Sequence, residues 1–153
     1  MYTAQESSKI KQSFWTTFGQ YMSPILSADG LKVNWVNYKT SVPYIRFKMD
    51  ADNKQAIISI LLTHSDIGIQ QLYFEQFEQL RKILEVTLKE EWSWKPPTPN
   101  EYGKPISSIY KKLNGVSIYR QEDWPMLISF FKERIIGLDE FWNNARYSFE
   151  SLA

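Results

Sequence analysis

Tyr44-Ile45-Arg46-Phe47-Lys48-Met49-Asp50-Ala51-Asp52-Asn53-Lys54-Gln55-Ala56-Ile57-Ile58-Ser59-Ile60-Leu61-Leu62-Thr63 carries two patterns and a break between them. From Tyr44 to Met49 polarity alternates. Ile45, Phe47 and Met49 share one face, and Tyr44, Arg46 and Lys48 share the other, the mark of a half-buried strand. Asp50 to Lys54 is rich in turn formers. Ala56 to Thr63 then puts apolar side chains on both faces, as in a central strand covered on each side. Two covers are therefore required.

The flanking sequence supplies helical patterns. Upstream, Thr3 and Glu6 have capping-box spacing, and Ile10, Phe14, Phe18, Tyr21, Met22 and Ile25 predict a helix over about 4–26, stopped by Pro24 and Ser27-Ala-Asp-Gly30. Leu31, Val33 and Trp35 alternate with Lys32 and Asn34, which predicts a further strand. Downstream, Ser65 caps a second helix whose stripe is Ile69, Leu72, Tyr73, Gln76, Phe77, Leu80, Ile83, Leu84 and Thr87, with Glu78/Lys82 and Glu85/Lys89 as outward i,i+4 pairs. Glu91 to Lys95 alternates as a short strand before the stiff Pro96-Pro-Thr-Pro99 connector. Ile106, Ile109, Tyr110 and Leu113 fit either a short helix or one arm of a hairpin turning at Asn114-Gly115, with strand favoured. A last helix capped by Asp123 carries Trp124, Leu127, Ile128, Phe131, Ile135, Leu138, Trp142, Ala145 and Phe149, and Phe130, Ile136 and Phe141 widen its stripe. The fold class is α/β (α+β): one domain over 1–153, with an αβββαβ core and a long C-terminal helix.

Composition excludes several functions. The 153 residues include no Cys, which rules out thiol catalysis, thiolate zinc sites and disulfides. The 18 Lys and Arg nearly balance 17 Asp and Glu, so no long-range field draws in nucleic acid or an anionic membrane. The polar N-terminus lacks the apolar stretch of a secretory signal, and Ala56–Leu62 is far too short to span a bilayer; a cytoplasmic protein with no membrane association is expected. The 6 Gly form no phosphate-binding loop, and no cofactor is implied.

The chemistry-bearing residues are few. His64 is the only histidine, but His64-Ser65-Asp66 are consecutive and cannot converge on one reacting atom; a capped helix entry explains them better. Asp50, Asp52 and Lys54 loosely echo a nuclease metal motif, yet they fall in the turn and not in the following strand. Glu90-Glu91 and Asp139-Glu140 read as surface acids. No catalytic or metal-binding residue is assigned. Two basic and aromatic patches remain: Tyr44, Arg46 and Lys48 on one strand face, joined by Lys32 and Asn34, and Lys111, Lys112 and Arg120 with Tyr110 and Tyr119.

The Phe14-Trp15 helix, Phe77-Glu-Gln-Leu80-Arg-Lys-Ile-Leu-Glu85 running into Glu91-Trp-Ser-Trp94, Ile106-Ser-Ser-Ile-Tyr110, and Asp123-Trp-Pro125 with Leu138-Asp-Glu-Phe-Trp142 together resemble the bacterial family of unknown function numbered 4268. The resemblance spans nearly the whole chain. It implies a restriction-endonuclease-like fold, often found beside nuclease-like or defence-associated regions in longer proteins. An acid-x-Lys inside the central strand is missing, so no catalytic residue carries over.

The leading expectation is a non-catalytic nuclease-like domain that contacts nucleic acid, or a nucleic-acid-processing partner, through Tyr44/Arg46/Lys48 or Lys111/Lys112/Arg120. The alternatives are a homodimerisation module using the wide stripe of the last helix, and a metal-dependent nuclease.

Overall fold

The 44–63 stretch folds as a hairpin. In the computed structural model, which describes residues 2–152, strand β1 (Ile45–Ala51) pairs antiparallel with β2 (Gln55–Leu62), from Ile45 opposite Leu62 to Ala51 opposite Ala56. The turn is closed by Asp52, whose Oδ1 accepts the N–H groups of Lys54 (2.8 Å) and Gln55 (2.9 Å). Slight burial opposes ionisation, but these N–H groups and nearby Lys11 and Lys54 outweigh it and hold the Asp52 carboxyl below the ordinary carboxylate range. The turn reading of Asp50 to Lys54 therefore has a mechanism.

Helix α1 (Ala4–Met22) precedes the hairpin; α2 (Ile67–Gln79), α3 (Arg81–Leu88), β3 (Ser93–Pro99), β4 (Pro105–Asn114) and α4 (Trp124–Glu150) follow it. The four strands form one antiparallel sheet in the order β1-β2-β4-β3. This is a mixed α/β domain with a long C-terminal helix, as the periodicities predict. On the inner face Ile45, Phe47, Ala56, Ile58, Ile60, Leu62 and Ile109 are buried beneath α2 and α4. Each large side chain among them contributes roughly 1.5–3 kcal/mol. Helix α4 also packs on α1 and α3, which explains its wide stripe: Phe130 and Phe141 are 5% and 3% exposed, and Ile136 is half-buried. The apolar edge that motivated a homodimer surface is thus covered within the chain.

Several local expectations are corrected by tertiary context. Leu31 to Trp35 forms no strand. The Trp35 indole instead donates to the Ile25 carbonyl (2.9 Å), and the Asn34 side chain accepts the N–H groups of Val36 and Asn37, which folds the segment into turns. Of the strands expected before the second helix, only two form. Helix one stops at Met22 and leaves Tyr21 exposed.

The second helix breaks at Leu80, whose N–H is shared between the carbonyls of Gln76 and Phe77. Past the break Leu84 of α3 is buried and Ile83 is exposed, while Leu72 of α2 is exposed as well. Arg81–Glu85 (2.7 Å) replaces the two expected pairs, and Lys89 adopts a left-handed φ of 59° beyond the helix end. Pro96 to Pro99 belongs to β3, an edge strand interrupted by a bulge between Lys95 and Thr98, where missing N–H groups cost little.

Residues 105–114 are strand, but the hairpin turn joining β3 to β4 lies at Asn100–Lys104 and not at Asn114-Gly115. After Gly115 (φ +77°) the chain crosses the β1–β2 turn, with Gly115 N donating to Lys54 O and Ile118 N to Asp52 O, and buries Val116 and Ile118. Nor does Asp123 cap α4. Its carboxylate accepts Ser117 N–H and pairs with Arg120.

Candidate functional site

An antiparallel pair puts directly opposed residues on the same side of the sheet. The register therefore defines three rows on the face away from the helices: Arg46, Leu61, Ser108 and Lys95; Lys48, Ser59, Tyr110 and Ser93; and Asp50, Ile57 and Lys112. Strands lie about 4.8 Å apart, so β1 and β4 side chains on this face are only about 10 Å from each other. Arg46, Lys48, Lys95 and Lys112 are exposed, and Asp50 is the one carboxylate within the rows. Tyr110 is half-buried, with the Lys112 ammonium 5.5 Å from its ring centroid. Ser59 is buried and Ile57 and Leu61 are half-buried in the middle of the face, flanked in the register by Arg46, Lys48, Tyr110 and Lys112 where a second helical layer is expected.

The two patches read from the sequence are thus redistributed. Arg46 and Lys48 share a face with Tyr110 and Lys112, across β2. Tyr44 lies just outside β1 at a left-handed φ of 69°, half-exposed, its ring 4.3 Å from that of His64. Lys111 points to the opposite face, opposed to Ile58, and its ammonium donates to Glu91 O (3.3 Å). Arg120 is held in a loop by Asp123 (2.9 Å). Lys32 and Asn34 are remote from the sheet face, in the loop before β1. His64 Nδ1 accepts Asp66 N–H (2.9 Å), and Asp66, not Ser65, caps α2 through Ile69 N–H.

A second polar region lies where the 27–41 loop meets α4, and here the expectation of surface acids fails. Asp139 is 5% exposed. Its carboxylate accepts Tyr38 O–H (2.6 Å) and Ala28 N–H (2.7 Å), and the Trp142 indole donates to Thr40 O (2.8 Å), so the loop is tied to the helix at three points. One signal in the sequence marks Asp139: it stands four residues after Ile135 and three before Trp142, inside the apolar stripe. Glu90 is likewise no free surface acid. It takes a two-pronged bond from Arg134 (2.8 Å each) and accepts from the Trp92 indole (2.9 Å), clamping the α3–β3 connection onto α4.

Burial, reinforced by the hydrogen bond to Asp139, holds the Tyr38 hydroxyl protonated well above the ordinary phenol range. A raised phenol pKa means that the unfolded chain loses this proton first. Stability from this group is full below pH ~10 and falls as pH rises above it. Urea unfolding of wild type and Tyr38→Phe across pH 8–11 is expected to show the variant less stable at pH 8 and the gap narrowing at alkaline pH. A constant gap would contradict the coupling.

The chain is a small α/β domain whose antiparallel sheet is covered by helices on one face and bears a basic, aromatic surface on the other. Within that class, the chain belongs to the family described as domain of unknown function DUF4268, whose model matches residues 10–146. No curated protein and no solved structure matches the chain. Among the described residues, no helix is long and apolar enough to cross a membrane.

Proposed function

We propose that this chain is a non-catalytic domain that contacts single-stranded nucleic acid through the outer face of its sheet. The observation that carries the reading is the register that gathers Arg46, Lys48, Lys95 and Lys112 around Tyr110, with one opposing carboxylate. A row of cations can track phosphates while an aromatic ring stacks on a base, and neither needs sequence readout. Because the net charge is only +1, attraction is local to this face and binding should weaken steeply with salt. The reading does not require nuclease ancestry, since it assigns no metal and no hydrolytic residue.

Fluorescence anisotropy with labelled single-stranded DNA and RNA at low salt tests it. Four phosphate contacts give a log–log salt slope of about −2.8, and Arg46→Ala/Lys48→Ala should bring it to about −1.4. Tyr110→Ala should weaken binding by about 5- to 150-fold, the worth of one stacked base. Lys111→Ala, on the other face, should change little. Absence of binding, or a salt slope untouched by the β1 double variant, would refute the reading.

A further inference from the structure

The pocket between the 27–41 loop and the C-terminal half of α4 is not used by the sheet-face reading and stands independently of it. Its volume is 590 Å³, within the range typical of small-molecule sites. Asp139 and Trp142 tie its loop wall to its helix wall through Ala28, Tyr38 and Thr40, so the position of the two walls is fixed by hydrogen bonds. Rigid walls of this kind lower the ordering cost of binding.

The charges in the pocket are unequally occupied. Both Asp139 oxygens are committed to Tyr38 and Ala28, and Asp29 is held by the Ser27 hydroxyl. Lys32, Lys39 and Arg146 line the same cavity with no carboxylate within ion-pair distance among the described residues. Arg146 follows Asp139 by seven residues and so emerges on the same side of α4. One guanidinium nitrogen, Nη2, reaches the neighbouring Tyr147 hydroxyl (3.1 Å), but Nε is buried with no hydrogen-bond partner. A buried donor on a permanent cation costs free energy unless an acceptor arrives, and a guanidinium is best matched by an oxyanion.

We propose that this pocket binds a small organic phosphate monoester, with Arg146 and Lys32 holding the phosphate. The Asn37 and Asn143 amides and the Asp29 carboxylate, which line the same cavity, would meet polar groups on the organic part. The volume favours a ligand of nucleoside monophosphate size over inorganic phosphate alone.

Thermal-shift titrations of the intact chain with the four 5′-nucleoside monophosphates, their nucleosides, inorganic phosphate and succinate test this. Expected are a saturable rise in melting temperature with at least one monophosphate, a weaker one with phosphate and none with nucleosides. Arg146→Gln should weaken monophosphate binding about tenfold or more. Lys32→Gln, at an exposed site that folding does not need, should weaken it severalfold and keeps the test decisive if the Arg146 variant unfolds. Arg120→Gln, outside the pocket, should bind as wild type does. No shift with any monophosphate, an equal shift with nucleosides or succinate, or full binding retained in the Lys32 and Arg146 variants would each overturn the proposal.

Discussion

Trp142→Ala is expected to remove about 4 kcal/mol of folding stability, within the range for aromatic truncation in a core. Trp142 is 1% exposed and touches three layers of the molecule. Its ring meets Phe47 of β1 edge-on (5.6 Å), stacks on Phe77 of α2 (6.2 Å, 14°) and lies against Phe149 about two turns along α4 (5.2 Å). Its indole N–H satisfies the buried Thr40 carbonyl (2.8 Å). Alanine leaves a cavity at the junction of sheet, helix and loop and strands that carbonyl. Against a total stability of about 5–15 kcal/mol, the loss is a large fraction, visible as a fall in melting temperature of roughly 8–16 °C. Trp142→Phe keeps one aromatic ring but loses the donor and the smaller part of the indole, so it should fall between wild type and the alanine variant, with the lost donor contributing about 1–3 kcal/mol. Urea unfolding of both variants checks this; a loss below about 1 kcal/mol for the alanine variant would be inconsistent with this packing.

Asp139→Ala is expected to cost about 3 kcal/mol, through hydrogen bonds and not packing. Hydrogen bonds to a charged group contribute about 1.5–3 kcal/mol, and this carboxylate accepts two at short distance. Its removal leaves the Tyr38 hydroxyl and the Ala28 N–H without acceptors. Asp139→Asn is nearly isosteric but presents an amide donor to one of them, so it should recover only part of the loss. A cycle of Tyr38→Phe with Asp139→Asn should give a coupling energy of about 1–2 kcal/mol, as for residues that share a hydrogen bond. Amide exchange provides a local readout: Ala28 N–H protection should fall in the Asp139 variants and stay in Tyr38→Phe. Additive effects in the cycle would mean that the tie does not exist.

The two expectations rest on residues of different legibility. Trp142 sits on the inward stripe of the last helix and can be assigned to the core from spacing alone. Asp139 is only an anomaly in that stripe, because its partners lie about a hundred residues away in a segment whose own alternation suggests a strand. Leu31, Val33 and Trp35 do alternate, but their backbone bonds and the Trp35 indole find partners in turns, and local pattern carries no record of that competition. The wide stripe on α4 errs in the opposite direction. A helix touching a sheet and three other helices needs more apolar surface than one contact face, so Phe130 and Phe141 are interior and not a dimer edge.

For the candidate site, the amino-acid pattern alone shows which residues share a side of β1. Alternation with period two places Arg46 with Lys48 whatever the topology, and it places Tyr110 with Lys112 once residues 105–114 are strand, a choice left open against helix by their spacing. It also determined the class of the fold, through the shift from alternating to helical spacing, and the family, through its aromatic motifs. Long-range pairing makes 105–114 a strand and puts β2 between β1 and β4, so that the two pairs form one surface, while Lys111 turns to the opposite side and Arg120 is taken by Asp123. Strand order and register are set by contacts between distant segments and by burial of the inner face. A helical pair, α2 and α3, separates β2 from β3 and β4 in the chain, and no local preference reaches across it. The same holds for the pocket at Arg146, which exists because a buried carboxylate on the last helix captures the loop that precedes the first strand.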